Sequence, residues 1–314
     1  IAVALANWNG MKYLERCLES VFAQTCAPRE VVIVDNGSTD GSAEWIADRY
    51  DQVHLLLNET NEGFAAGYNK AIAACSQPFV LILNTDVFLA PDFIEVTLAA
   101  LAEYPEAGAA TGSVFQQGTG EWLNSGFFLR PQMRTEHSAN LDRAEAVFGC
   151  SGALILFRRE MLEDIRIEGQ YFDEAYFSYG EDIDLAWRAQ LLGWQARFTP
   201  GAKAHHVGSG SSDERLRFVD KPAFLQRHLL KNRYLTLVKN TSTGVLPYVL
   251  LPFILAEPLV WLYLLLRLPW RFPYLLLALA DTCRHLPTAL RWRRQLMRRQ
   301  RVSAAYIRQF LRRV

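Results

Sequence analysis

Four short polar stretches carry side chains able to do chemistry. Tyr179-Gly180-Glu181-Asp182-Ile183-Asp184 gathers three carboxylates in four residues. A carboxylate there could take a proton from an acceptor hydroxyl, which makes Glu181 and Asp182 catalytic candidates. Acids also favour helix N-termini, and Asp184 with Arg188 forms an i, i+4 pair, so a structural role is assigned to Asp184. In Asn84-Thr85-Asp86, Asp86 could ligate a hard divalent cation such as Mg²⁺ or Mn²⁺, whose shell diphosphate oxygens complete, or it could serve as a turn residue. His205-His206 runs towards Gly208-Ser209-Gly210-Ser211; an imidazole could complete a metal site and the small residues could admit a phosphate, or the pair could simply lie on a surface loop. In Asp35-Asn36-Gly37-Ser38, the Asp35 carboxylate could accept the N3 hydrogen of uracil or thymine while Gly37 and Ser38 allow a tight turn. A turn with a helix cap accounts for that stretch equally.

These residues must be positioned by the elements around them. Residues 1–6, 31–34, 53–57 and 79–83 are short apolar runs that predict buried strands. Between them, Met11, Leu14, Leu18, Val21 and Phe22 recur at helical spacing, and residues 43–50 and 64–75 also predict helices. Alternating strand and helix means an α/β fold with a mainly parallel, Rossmann-like sheet. Ligands in such sheets bind at the carboxyl ends of strands, where all four expected strands are followed by polar loops. No GxGxxG follows the first strand, which disfavours hydride-transfer chemistry. Residues 116–146 read as loops over the site, 147–157 as a renewed strand-like run, 181–192 as a helix closed by Gly193, and 194–198 as a strand.

The 33 basic and 33 acidic side chains cancel overall but are unevenly placed. Residues 1–220 hold 16 basic and 31 acidic groups, whereas residues 221–314 hold 17 and 2, with ten arginines after Asp281. Residues 245–266 contain one charge, Glu257, and three prolines. That run is long enough to span a bilayer, but its prolines and the arginines beyond it predict an interfacial or re-entrant segment, with residues 284–313 as basic helices on an anionic membrane surface. Residues 274–280 are too short to return across. An ordinary helical subdomain or a homo-oligomer contact is the competing account; nucleic acid is disfavoured because the apolar residues are aliphatic and continuous. Five cysteines without a CxxC pair fit a reducing compartment, and no secretory signal is expected at residues 1–6.

The order of the motifs resembles the bacterial family 2 glycosyltransferases, especially the rhamnosyltransferase-like members. It is carried by Asn7-Trp8-Asn9-Gly10, Ser20-Val21-Phe22-Ala23-Gln24-Thr25, Val34 through Ser42, Asn61-Glu62-Gly63-Phe64-Ala65-Ala66-Gly67-Tyr68-Asn69, Leu83-Asn84-Thr85-Asp86, Phe172-Asp173-Glu174, Glu181 through Arg188, and Pro200 through His206. The resemblance covers residues 1–239. It implies a GT-A catalytic domain over 1–240; the apolar and arginine-rich region over 241–314 is expected, from its composition, to associate with the membrane. The resemblance implies inverting transfer from a dTDP- or UDP-sugar, dTDP-rhamnose among them, to a lipid-linked or glycan acceptor at the cytoplasmic face of the membrane. Asp35 would hold the base; Asn7, Asn9, Gly37, Ser38, Asn61, Gly63, Phe64, Asn69, Asn84, Thr85 and Arg233 would line the nucleotide-sugar site. Asp182 would be the general base beside Glu181, and Asp86 with His206 would hold Mg²⁺ or Mn²⁺. The Asn-Thr-Asp order leaves one carboxylate where many relatives have two, a variation familiar in this subgroup. If transfer runs without metal, Lys231 or Arg233 would neutralise the leaving group. Transfer to a polyprenyl phosphate, or a non-catalytic nucleotide-sugar-binding scaffold, are the competing functions.

Overall fold

The computed structural model describes residues 1–124, 126–138, 141–207 and 218–311. Strands β1 (Ala2–Asn7), β2 (Glu30–Asp35), β3 (Val53–Leu57) and β4 (Phe79–Leu83) alternate with helices α1 (Met11–Phe22), α2 (Ser42–Arg49) and α3 (Gly63–Ala74). They form a parallel unit in the order β4-β1-β2-β3. Side chains alternate across the sheet. Ala2, Ala4, Val32, Val34, Val80 and Ile82 pack on one face, while Val3, Leu5, Val31, Ile33, Leu81 and Leu83 pack on the other. Both faces are covered, so these strands read as continuous apolar runs. β3 departs from that expectation: it is an edge strand, only partly buried, with Leu57 67% exposed.

After β5 (Val87–Leu89) and α4 (Phe93–Glu103), the sheet continues through β6 (Ala107–Gln116). The stretch expected as loops instead folds into short strands: β7 (Trp122–Asn124), β8 (Gly126–Leu129), β9 (Thr135–His137) and β10 (Glu145–Val147). β8 and β9 form an antiparallel hairpin that β11 (Gly149–Cys150) joins. Three- and four-residue strands show too few alternations to be recognised by period. The expected run over 147–157 is likewise divided, with β12 (Leu154–Arg158) starting after Ser151, Gly152 and Ala153.

Helices α5 (Arg159–Ile165) and α6 (Glu181–Leu191) flank a single turn at Glu174–Tyr176, and Gly193 at φ +88° lies just beyond α6 as expected. β13 (Gln195–His206) is far longer than the strand expected at 194–198. It pairs with β6 in parallel, with an irregularity between Phe198 and Lys203, and with β5 antiparallel. Gly208, Ser209, Gly210 and Ser211, proposed for phosphate approach, lie outside the described residues, as do Arg312 and Arg313.

The C-terminal part is helical: α7 (Ala223–Asn240), α8 (Leu246–Arg267), α9 (Phe272–Arg299) and α10 (Ala304–Arg308). α8 stays helical through Pro252 and Pro258. The apolar stretch 274–280 and the arginines from Arg284 to Arg299 share one helix, α9, rather than forming separate segments. Val249, Phe253, Trp292, Leu296 and Ile307 join the apolar core that contains α3 and α6. α8 is long and apolar enough to cross a membrane, and Leu251, Leu255, Leu259 and Leu266 on it are each more than 60% exposed.

Candidate functional site

The ends of β1 and β2 are tied together side chain by side chain. Asn7 Nδ2 donates to Asp35 Oδ2 at 2.7 Å and to Ser42 Oγ at 2.8 Å, and the Ser38 amide donates to Asp35 Oδ1 at 2.9 Å. Asn9, at φ +53°, donates its amide to Ser38 Oγ and accepts from the Thr39 amide through Oδ1. Asp35 is almost fully buried and closes the turn, although an ionised carboxylate with about four lone-pair sites keeps accepting capacity beyond these bonds. Gly37 takes φ +73°, as its tight turn requires.

Asn36, which the sequence reading passed over, couples this turn to the next loop. Its Nδ2 donates to the Gly63 carbonyl at 3.0 Å and its Oδ1 accepts from Asn58 Nδ2 at 2.7 Å. Asn61 Oδ1 accepts from the Gly63 amide at 2.8 Å. Gly63 sits at φ +89°, where a Cβ would come within 2.6 Å of Phe177. Phe64 packs on Tyr68 with ring centroids 4.4 Å apart, and the Tyr68 hydroxyl reaches Asn84 Oδ1 at 3.1 Å. Asn69 is directed elsewhere: among the described residues its side chain bonds Tyr171, Phe172 and Glu174. It anchors that segment.

Strand pairing brings Asp86 and His206 together. The β5–β13 register sets His206 opposite Val87, one residue after Asp86, and Nε2 of His206 lies 3.1 Å from Oδ2 of Asp86. Alternation along β13 buries His206 and leaves His205 exposed, so the histidines occupy a strand and not the expected loop. Asp86 Oδ2 is buried and accepts no hydrogen bond among the described residues. No cluster of three or more metal-type side chains occurs among the described residues. A lone carboxylate beside an imidazole still fits a divalent cation whose remaining ligands come from a diphosphate.

At the start of α6, the Asp182 carboxylate accepts from the Gly152 amide at 3.1 Å and the Ile183 amide at 2.8 Å. A Cβ added at Gly152 would come within 3.3 Å of Phe64, so this glycine lies between Asp182 and the α3 side of the site. Burial pushes the Asp182 carboxyl above the ordinary range, against the opposing pull of those two amides and of His137. Burial, then the charge of Asp182, pushes buried Glu181 well up. Asp182 lies in the wall of a cavity of about 880 Å³, shared with His137 and Arg134 from the β8–β9 hairpin, Arg233 from α7, and Val260 and Tyr263 from α8. Glu181 does not line that cavity.

Asp184 points inward instead. It pairs with Arg188 at 3.0 Å and with Lys239 at 2.8 Å, all three buried, and Lys239 also pairs with Asp173. Burial would raise Asp184, but Lys239 and Arg188 outweigh it and hold the carboxyl down at about 2. Lys231 is buried against the Ala175 carbonyl and His228, and Arg233 pairs with Glu257 at 2.8 Å. Burial lowers Lys231 to about 8.

The model of the family described as Glycosyl transferase family 2 matches residues 2–166. The N-acetylglucosaminyl-diphospho-decaprenol L-rhamnosyltransferase of Mycobacterium tuberculosis is 29% identical over 242 residues, covering 66% of this chain and 78% of its own. The poly-beta-1,6-N-acetyl-D-glucosamine synthase of Staphylococcus epidermidis is 25% identical over 211 residues, 64% of this chain and 48% of its own. Among solved structures, S. aureus TarS 1-349 in complex with UDP aligns at TM-score 0.57 and 17% identity, over 94% of this chain and 91% of that one. GalNAc-T7 with UDP, GalNAc and Mn²⁺ aligns at 0.59 and 16%, over 76% and 47%.

Proposed function

The chain belongs to glycosyl transferase family 2 and has the GT-A fold, and from that premise we propose an inverting transferase that moves a sugar from a dTDP- or UDP-sugar to a hydroxyl of a lipid-linked acceptor. The observation that carries the reading is Asp182: a carboxylate pushed above its ordinary range by burial, held by two amides, in the wall of a large cavity. L-rhamnose is the favoured sugar, and a sugar diphospho-polyprenol the favoured acceptor class, because the mycobacterial relative is named for both.

In this scheme the acceptor hydroxyl gives its proton to Asp182 as its oxygen bonds to the anomeric carbon. The bond from that carbon to the diphosphate oxygen breaks on the opposite face, releasing the nucleoside diphosphate and inverting the configuration. Asp35 accepts from N3 of the pyrimidine, and the bonded loops from Asn7 to Ser42 and Asn58 to Gly63 hold the nucleoside without rearranging. Asp86 and His206 would hold Mg²⁺ or Mn²⁺, which when bound offsets the charge of the departing diphosphate. The outward leucines of α8, with the arginines of α9, would seat the protein on the cytoplasmic membrane face as a peripheral or monotopic enzyme. A screen of nucleotide sugars, with and without Mn²⁺, tests the donor by thermal shift. Stronger stabilisation by GDP than by UDP or dTDP would overturn the base assignment.

A further inference from the structure

The chain enters α6 through a strained loop. Phe177, at φ +62° and ψ −65°, centres a γ-turn that the Ser178 amide closes on the Tyr176 carbonyl at 2.7 Å. Tyr179 follows at φ +70° and Gly180 at φ +85°. Bulky aromatic residues rarely take this left-handed region, and a γ-turn of this hand is itself strained. Such a loop persists only where its surroundings over-determine it.

One side chain of α7 does so. Asn232, 1% exposed, donates from Nδ2 to the carbonyls of Tyr176 at 3.0 Å, Ser178 at 2.9 Å and Tyr179 at 2.6 Å. Its two N–H groups thus serve three carbonyl oxygens that converge on one point. The loop held in this way reaches both halves of the site. The Phe177 carbonyl accepts from the Ala65 amide at 3.2 Å, beside the Gly63 turn, and Gly180 stands two residues before Asp182. Asn232 lines the same cavity as Asp182.

We infer that Asn232 is a positioning residue for Asp182, holding loop 176–180 so that the carboxylate keeps a fixed place relative to the Gly63–Phe64 end of α3. Asn232 acts through the loop and not on the reacting atoms. An amide suits the position because it offers donors alone to the three carbonyls; an aspartate of the same size would set its oxygens against theirs. The inference rests on the reading of Asp182 as the base, and separate measurements test the two.

Amide hydrogen exchange on the full chain, read by mass spectrometry, tests the clamp. Asn232→Ala should speed exchange over residues 176–183 at least about tenfold and leave β1, β2 and β4 unchanged, with UDP binding in Mn²⁺ as in the parent. Asn232→Asp should loosen the same residues although it keeps the size of the side chain. Unchanged exchange in both variants would overturn the clamp, and so would loss of protection throughout the sheet. Transfer from dTDP-rhamnose to N-acetylglucosaminyl diphospho-farnesol then tests the link to Asp182. Asn232→Ala should lower kcat about tenfold with the donor KM unchanged, yet lower it less than about twofold further in an Asp182→Asn chain, where no base is left to position. Additive losses would overturn the role of Asn232 and leave Asp182 as the base. Full activity in Asp182→Asn would overturn the base reading, and the positioning role with it, even where exchange shows the loop to be clamped.

Discussion

Around Asp35 the polar side chains are committed to one another: Asn7, Asn9, Ser38, Ser42 and Asn36 bind the loop ends into one network. Around Asp182 there is a roomy cavity instead, lined by arginines of the hairpin and α7 and by Ala256, Val260 and Tyr263 of α8. A bonded network presents fixed groups and loses little order on binding, which suits a rigid, charged nucleotide. A cavity walled by an exposed helix suits a long, flexible ligand, because apolar contact tolerates variation in where the chain lies. The two regions meet at Gly152, whose amide bonds Asp182 and where an added Cβ would come within 3.3 Å of Phe64.

The strongest way to break this contrast is Asp182→Asn. Transfer should fall by about 10² to 10⁴-fold with donor affinity unchanged, because the base acts in the transition state. In the parent protein the rate should decline as pH falls through the raised pKa of Asp182, and that acid limb should vanish in the variant. Steady-state kinetics across pH with one donor and acceptor reads both. Full activity in Asp182→Asn with an inactive Glu181→Gln would move the base to Glu181.

Next in size is Asp184→Asn, expected to cost about 3 to 5 kcal/mol of stability by leaving Arg188 and Lys239 buried beside a neutral amide. Because Asp184 is depressed to about 2 in the folded chain, its contribution is complete above the ordinary carboxylate range and lost as pH falls through about 2. Urea titrations between pH 5 and pH 2 should therefore show a steeper acid loss in the parent than in the variant. Equal slopes would remove Asp184 from the acid response.

Asp86→Ala sharpens the nucleotide side. UDP binding with Mn²⁺ should weaken by at least about tenfold, while uridine binding stays the same. Undiminished transfer in EDTA would reject the metal role and return attention to the basic groups Lys231 and Arg233. The smallest effect tests the apolar side: Leu255→Ala should cost about 1 kcal/mol, or roughly fivefold, in partitioning to anionic vesicles. Sedimentation measures it, and an unchanged partition would argue against α8 as the lipid-facing surface. Removing residues 241–314 is a poorer test, because Trp292, Leu296 and Ile307 would be stripped from the common core.

Much of this arrangement was legible in the sequence where the signal was local. β1, β2 and β4 read as strands because both their faces are buried, and the polar residues that follow them fell at strand ends as expected. The 116–146 region did not, since hairpin strands of three or four residues carry almost no period. Pro200-Gly201 disguised the length of β13 by reading as a break, whereas the structure absorbs both in the irregular stretch between Phe198 and Lys203. The nearness of His206 to Asp86 depends on pairing between strands more than a hundred residues apart, which no window reveals.

The irregularity in β13 also bears on which insertions and deletions the chain can survive. From Lys203 to His206 the strand is in continuous register with β6, and from Ala204 onward with β5 as well. Losing or gaining one residue there exchanges the outward His205 for the inward His206 and reverses every side chain up to the strand end, because strands have a period of two. An extra residue between Phe198 and Lys203 meets no such constraint, since the bulge already carries unpaired backbone. Length variation among functional descendants of this sequence should therefore collect at residues 199–202 and be absent from the four residues that follow.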